Sequence, residues 1–228
     1  MFPILMSAAM LASCAEQYVV NGSSNVEGLE GKTLYLKVFA GEDMRAIDSS
    51  RVVHGKFRFR GVLDSVTMAN VFVDDTSVMP VVLESGEVSL NIGESTQSAT
   101  GTPMNDSLSQ FIQRKTQIDA QMAELPHLES QMIMDGISLD QISVELGAKA
   151  RALNDENDRL VSRFISSNYD NVLEPGIFMI MTSALQYPIL NPKIEAIISQ
   201  APPYFLNHPY VREYIKAAES NMEKMHDY

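Results

Sequence analysis

The chain has 228 residues, with 17 Lys and Arg against 29 Asp and Glu, a formal net charge of −12 and one cysteine. That length suits one large domain or two small ones, and 45% hydrophobic residues can build a packed core, which excludes wholesale disorder and fibrous classes. The acidic balance argues against a nucleic-acid partner, which needs clustered Lys and Arg to displace counterions, and a lone cysteine excludes an internal disulfide or a cysteine-pair zinc or redox centre.

Met1 to Ala12 reads MFPILMSAAMLA, an apolar stretch of signal-peptide length that falls short of the roughly 20 residues a membrane-spanning helix needs. It runs into Leu11-Ala12-Ser13-Cys14, and Cys14 is the only cysteine. Leu, two small residues and Cys resemble the bacterial lipoprotein lipobox, in which small residues fit a narrow peptidase groove and the exposed thiolate is acylated. Residues 1–13 are therefore expected to be a lipoprotein signal peptide, with Cys14 as the lipid attachment site. The stretch departs from the usual signal in carrying no Lys or Arg; either the start lies upstream or the signal is unusual. Beyond Cys14 no apolar run is long enough to span a bilayer, so an anchored soluble body is expected.

From Tyr18 to about Thr100 the pattern favours strands. Leu34, Leu36 and Val38 alternate with Tyr35, Lys37 and Phe39, and Phe57 and Phe59 alternate with Lys56, Arg58 and Arg60, as half-buried strands do. Short apolar runs follow at 71–73, 78–83 and 88–92, with His54-Gly55, Asp74-Asp75 and Ser85-Gly86 placed as turns between runs. Gly101-Thr102-Pro103 closes the segment.

From Met104 the period becomes helical. Leu108, Phe111, Ile112, Ile118, Met122 and Leu125 share one stripe, with Gln113, Arg114 and Gln117 off it. Pro126 is expected to kink or end this helix. Leu139, Ile142, Leu146, Ala150, Leu153, Leu160 and Phe164 form a second stripe opened by Ser138 as N-cap, pairing with the first as a hairpin across Asp135-Gly136. Three shorter helices are expected: one with Pro175 at its first position reaching Leu185, one opened by Asn191-Pro192, and one capped by Asn207. The fold class read from these patterns is α+β: an N-terminal antiparallel β-sandwich of about seven or eight strands over residues 14–101, then an all-α region over 102–228 that opens with the hairpin. Charge is shared between them, net −5 over residues 1–101 and net −7 over 102–228.

Chemistry-bearing motifs are scarce. No G-x-S-x-G, H-E-x-x-H, Walker A or G-x-G-x-x-G pattern occurs. His54, His127, His208 and His226 are scattered, and none stands with a carboxylate at metal-ligand spacing; His54 reads as a turn residue and His208 as a helix start. Met222, Met225 and His226 have the soft-donor chemistry of a copper(I) site, but a fraying terminal helix suits them as well. Met132, Met134, Met179 and Met181 read as core fillers. Asp74-Asp75 and the Glu84/Glu87 pair read as surface acids beside turns. No metal and no cofactor are expected. Lys56, Arg58 and Arg60 form a basic stripe on an acidic protein, suited to an anionic glycan, a lipid head group or an acidic partner, or to keeping a strand soluble.

Five stretches carry a family resemblance: Gly31-Lys32-Thr33-Leu34-Tyr35-Leu36, Ile47-Asp48-Ser49-Ser50, Gly55-Lys56-Phe57-Arg58-Phe59-Arg60-Gly61, Val82-Leu83-Glu84-Ser85-Gly86 and Thr100-Gly101-Thr102-Pro103-Met104-Asn105-Asp106. Together they resemble an uncharacterised domain-of-unknown-function family found at the N-terminus of many Bacteroidetes lipoproteins. There it often precedes a helical spacer and a thioredoxin-like or peroxiredoxin-like module. Asn207-His208-Pro209-Tyr210-Val211 is similar to the end of such spacers. The resemblance implies a cell-envelope lipoprotein, at the outer membrane. The sequence has no Cys-x-x-Cys and ends where the redox module would begin, so no catalytic residue is carried over.

The expectation is a non-enzymatic binding or scaffolding lipoprotein, held to the membrane by lipid on Cys14, with an envelope protein as partner and no nucleic acid. Two alternatives stand beside it. One is an accessory that docks a separate thioredoxin-like thiol–disulfide protein. The other is an unrecognised envelope glycan hydrolase, whose distant carboxylates only a folded pocket would join.

Overall fold

A computed structural model of the chain describes residues 16–40, 43–94, 96–183 and 185–226. The signal-peptide reading of residues 1–13 and the lipid site Cys14 lie outside the described residues. Eight strands come first: β1 (Gln17–Ser24), β2 (Thr33–Ala40), β3 (Asp43–Arg51), β4 (Lys56–Val62), β5 (Thr67–Val73), β6 (Thr76–Leu83), β7 (Gly86–Ile92) and β8 (Gln97–Thr100). Six helices follow: α1 (Pro103–Met134), α2 (Leu139–Ser166), α3 (Leu173–Ser183), α4 (Pro192–Gln200), α5 (Pro203–Leu206) and α6 (Pro209–His226). This is the α+β order that the change of hydrophobic period predicts.

The strands form two four-stranded sheets, ordered β4-β1-β7-β8 and β3-β2-β5-β6. The sandwich departs from pure antiparallel pairing at one central ladder, where β1 runs parallel to β7 with Tyr18 facing Gly86 and Ser24 facing Ile92. Every other ladder among the described residues is antiparallel. Alternation along the strands places Val20, Leu34, Leu36, Phe59, Val71 and Val88 fully inside, between the sheets. In the first sheet β4 crosses β1 so that Phe57 lies opposite Gly22 and Tyr18 opposite Gly61. A Cβ on Gly22 would come within 2.1 Å of the Phe57 ring, so each large ring fills the space its glycine partner leaves.

Both edges of the first sheet are covered, as a stable sheet requires. On β8, the Ser109 hydroxyl accepts the Ala99 N–H at 2.8 Å and donates to the Ala99 carbonyl at 2.6 Å. On β4, the Arg58 N–H donates to Ser50 Oγ at 3.0 Å and the Arg60 N–H to an Asp48 carboxylate oxygen at 3.0 Å. Asp48 and Ser50 belong to β3 in the opposite sheet, so side chains close this side of the sandwich where backbone pairing stops. The β3–β4 connection turns through His54 (φ 51°) and Gly55 (φ 67°). Glu30 accepts both of their N–H groups at 2.9 Å, and these bonds, that of Gly55 first, hold its carboxyl below the usual range.

The second sheet has helices on its outer side. Val81 and Leu83 face the sandwich core, while Val82 between them joins Leu108, Phe111, Ile177, Phe178 and Phe205 in a second core. Burial on both faces explains the unbroken apolar run in β6. Met68 on β5 packs on the helices as well, close enough that a Cβ on Gly176 would stand 3.0 Å from its methyl. Phe39 on β2 meets the Tyr210 ring edge-on at 5.2 Å.

The hairpin forms as the stripes predict, with Gly136 at φ 77° in the turn and Ser138 Oγ accepting the Gln141 N–H at 3.4 Å. Several positions differ. Pro126 neither ends nor divides α1, which runs on to Met134; the ring removes one hydrogen-bond donor, and pairing with α2 holds the turns on either side. Met134, read as a core filler, is 80% exposed, and Leu139, at the start of the second stripe, is 70% exposed; the two end α1 and begin α2 on either side of the turn, away from both hydrophobic cores. Pro175 is the third residue of α3, not the first, and Asn171 leads into that helix by accepting the Leu173 N–H at 2.9 Å. Asn207 ends α5 rather than capping α6; the His208 carbonyl accepts the Arg212 N–H at 3.0 Å and opens α6 instead. Asn191 behaves as expected, taking the N–H groups of Lys193 and Ile194 at the start of α4. Among the described residues no helix is long and apolar enough to cross a membrane.

Candidate functional site

The outer face of the first sheet bears no helix core residue, and strand register assembles it into three rows. Arg60, Val19 and Glu87 make one row; Arg58, Asn21, Ser89 and Thr100 the next; Lys56, Ser23, Asn91 and Ser98 the third. Lys56, Arg58 and Arg60 are all exposed, and alternation on one strand sets them about 7 Å apart. The sequence-predicted basic stripe is therefore one continuous line of charge along the border of a polar face. None of the three forms an ion pair among the described residues; the pairs there are Lys32–Asp74, Arg114–Glu156, Lys115–Asp119, Lys193–Asp158 and Arg212–Glu213. Beside the stripe a shallow depression of about 300 Å³ is lined by Asn21, Ser23, Lys56, Ser89, Asn91 and Thr100 among others. Asn21 Nδ2 donates to Glu87, and Ser23 Oγ donates to Asn91 Oδ1 at 3.3 Å. What this face can do is hydrogen-bond and neutralise anions.

A different kind of site lies at the junction of sandwich and helices. Glu174, in the first turn of α3, is fully buried, and among the described residues neither carboxylate oxygen has a hydrogen-bond partner. Burial pushes its carboxyl up to about 7. A cavity of about 190 Å³ opens nearby between β2, β5, α3 and α5, lined by Phe39, Met68, Val172, Gly176, Met179 and His208 among others. His208 Nδ1 is buried without a partner among the described residues, and burial lowers the pKa of the ring. Tyr210 Oη and Thr182 Oγ1 share a hydrogen bond at 2.7 Å, and burial pushes the phenol up. Sequence patterns miss Glu174 because an acid in a first helical turn ordinarily faces water beside the helix dipole; its flanks, Leu173 and the apolar run from Ile177, are the only signal.

A third concavity, about 810 Å³, lies open between α2 and α4 and is crossed by the Lys193–Asp158 ion pair. Arg163 and Tyr169 also line it. It mixes both charges and brings no sequence-predicted residue together.

The remaining candidates disperse. His54 is the turn residue expected, and His127 is exposed on α1. The side chain of His226 lies outside the described residues, and Met225 is 63% exposed. No group of three or more His, Cys, Asp or Glu is placed to hold a metal among the described residues. Asp74 and Asp75 are exposed in the β5–β6 turn, and Glu87 is exposed on β7. Glu84 corrects the surface-acid reading. It is 8% exposed and accepts the N–H groups of Met104 and Asn105 at 3.0 and 3.2 Å, a carboxylate on the positive end of α1.

Residues 18–108 match the model of a family described as a domain of unknown function (DUF4369), the kind of family that the turn glycines and strand aromatics resemble. The match takes in all but the first residue of the eight-stranded sandwich and the first turn of α1, and stops before the rest of the helices. No curated protein matches the chain.

Proposed function

We propose that this chain, a DUF4369 sandwich carried with a helical body, is a lipid-anchored binding or scaffolding protein of the cell envelope, held at the outer membrane through Cys14 and doing no chemistry of its own. The observation that carries the reading is the bare, hydrogen-bonding outer face of the first sheet, whose cations form no ion pair among the described residues and stand on a protein of net charge −12. A surface of that kind recognises a ligand without transforming it. The tether reading is supported by Leu11-Ala12-Ser13-Cys14 after an apolar stretch, and the path from such a lipid to the fold would be short: β1 starts at Gln17, three residues after Cys14, and lies in the interior of the first sheet. Acyl chains on Cys14 would then hold this sheet within about 10 Å of the bilayer surface, since an extended residue spans about 3.5 Å.

Fractionation of cells expressing the protein and its Cys14→Ala variant tests the anchor. The expected result is membrane recovery of the first and release of the second; equal recovery overturns it. In-cell cross-linking with mass spectrometry tests the scaffold. Envelope assembly or transport proteins lost from the Cys14→Ala sample support it, whereas a thioredoxin-fold partner would favour the redox-accessory reading. Turnover of an envelope glycan by the purified protein would overturn the non-enzymatic reading.

A further inference from the structure

Three like charges about 7 Å apart on one strand repel one another by roughly 0.6 kcal/mol per neighbouring pair even at the dielectric constant of water. A protein with 29 acidic residues nonetheless places no carboxylate in an ion pair with Lys56, Arg58 or Arg60 among the described residues. Asp48, the acid beside them, already accepts the Arg60 and Ser49 N–H groups. Glu87, on the far side of β1, is held by Asn21. The ordinary use of such a stripe is to stop an edge strand from pairing with a neighbour. That need is met here by Ser50 and Asp48, which occupy the outward N–H groups of β4.

The rest of the face narrows the partner. A protein interface wants an apolar, aromatic centre, and the rows beyond the stripe hold Asn21, Ser23, Ser89, Asn91, Ser98 and Thr100, with Glu87 their one acid, bonded by Asn21, and Val19 their only apolar member. A lipid surface wants apolar side chains to insert and a larger cluster of cations. Short amides and hydroxyls over a shallow trough of about 300 Å³ suit a ligand that is itself dense in hydroxyl groups. We propose that this face binds an acidic polysaccharide, its anionic groups on Lys56, Arg58 and Arg60 and its hydroxyls on the amide and hydroxyl rows. The proposal rests on the binding-protein reading above and names the ligand class for that surface.

The test is titration of the purified full chain with polygalacturonate, at low and at physiological salt. Dextran, polyglutamate and phosphatidylglycerol vesicles serve as comparison ligands. Polygalacturonate is expected to bind, to weaken with salt, and to bind more tightly than the other three. Arg58→Glu with Arg60→Glu is expected to lower its affinity at least about tenfold with an unchanged melting temperature; Arg58→Gln with Arg60→Gln replaces this pair if charge reversal disturbs folding. Asn91→Ala should weaken binding a few-fold and leave the salt dependence as it was. Lys149→Glu with Arg151→Glu, the same charge change on α2, should leave affinity unaltered. No binding of polygalacturonate at low salt, or binding indifferent to the Arg58 and Arg60 changes, overturns the proposal. So does polyglutamate or dextran binding as well, or vesicles binding better, each of which assigns the face to bare charge, neutral sugar or lipid. The membrane-fractionation and cross-linking results do not depend on any of these titrations, so the anchor and scaffold reading stands or fails separately.

Discussion

Asn105 and Glu84 meet where the sandwich gives way to helix: Asn105 Nδ2 lies 3.3 Å from Glu84 Oε1, and the same oxygen receives the Asn105 N–H at 3.2 Å. Asn105 is wholly buried. Its side chain also donates to the Val82 carbonyl at 2.8 Å, accepts the Val82 N–H at 2.9 Å and reaches Thr102 Oγ1 at 2.9 Å. One side chain thus acts as a further strand partner for β6 while fixing the start of α1.

Asn105→Ala leaves both backbone groups of Val82 and part of Glu84 unpaired inside the protein, and is expected to destabilise it by about 2–4 kcal/mol. Glu84→Gln keeps an acceptor and loses the charge facing the helix N-terminus, at a cost of about 0.5–1 kcal/mol. Urea denaturation midpoints check both; equal effects would mean that the charge, not the network, fixes the junction.

Glu174 ties stability to pH. Its carboxyl titrates at about 7 in the folded chain against 4.5 for an ordinary Glu, so between those values the folded chain keeps a proton that the unfolded chain has lost. Stability then falls as pH rises across that window and levels above it. The shift sets a ceiling of about 3 kcal/mol on the fall. Glu174→Gln is expected to flatten the slope, measured by denaturation across the pH range.

His208 works with the opposite sign. Its folded pKa is depressed below 6.5 by burial, so its contribution is fully present above 6.5 and is lost as pH falls through the folded value. His208→Asn should remove a loss of stability on the acid side without touching the Glu174 slope, and the two variants separate the opposed effects.

Gly22→Ala drives a methyl into the Phe57 ring and is expected to cost about 2–3 kcal/mol. Adding Phe57→Leu should recover part of that loss, because the smaller side chain vacates the space. A double-mutant cycle with no coupling between the two positions would contradict the ring-over-glycine packing.

Pro126→Ala restores a backbone donor inside α1, where the surrounding residues are exposed or half-buried. The folded chain is expected to gain about 1–2 kcal/mol, less than the full cost of a helical proline because alanine also frees the unfolded chain. Thermal melting reads this directly.

Strands with one wet face were legible as sequence because their period of two survives in the side chains: β4 shows it in Lys56 to Arg60, and β7 in Val88 to Ile92. β3 hides, since Arg45, Ala46, Ile47 and Ser49 are all exposed and burial imposes no alternation on it. The parallel β1–β7 ladder is invisible locally, being set by the closure of the whole sandwich. The basic stripe was legible because one strand holds all of it, whereas the rows of amides and hydroxyls beside it come from β1, β7 and β8 and exist only in register. Glu84 reads as a surface acid because Ser85-Gly86 follows it; the partners that bury it lie some 20 residues on. Glu174 is missed because an acid in a first helical turn ordinarily faces water, whereas here it is buried and its carboxylate has no hydrogen-bond partner among the described residues.

No residue from 113 to 159 belongs to either hydrophobic core, although Ile118, Ile142 and Leu153 are buried. The hairpin beyond Ile112 is thus a boom fixed at one end, and its outgoing limb from Gln113 to Met134 measures about 33 Å at 1.5 Å per residue. A boom amplifies angle into distance: a tilt of about 10° at its root carries the tip about 6 Å. Ile133, Met134 and Leu139, the exposed apolar residues at that tip, sweep a wide arc for a small change of packing at Phe111 and Phe164, whose rings stand 4.4 Å apart where the boom leaves the body.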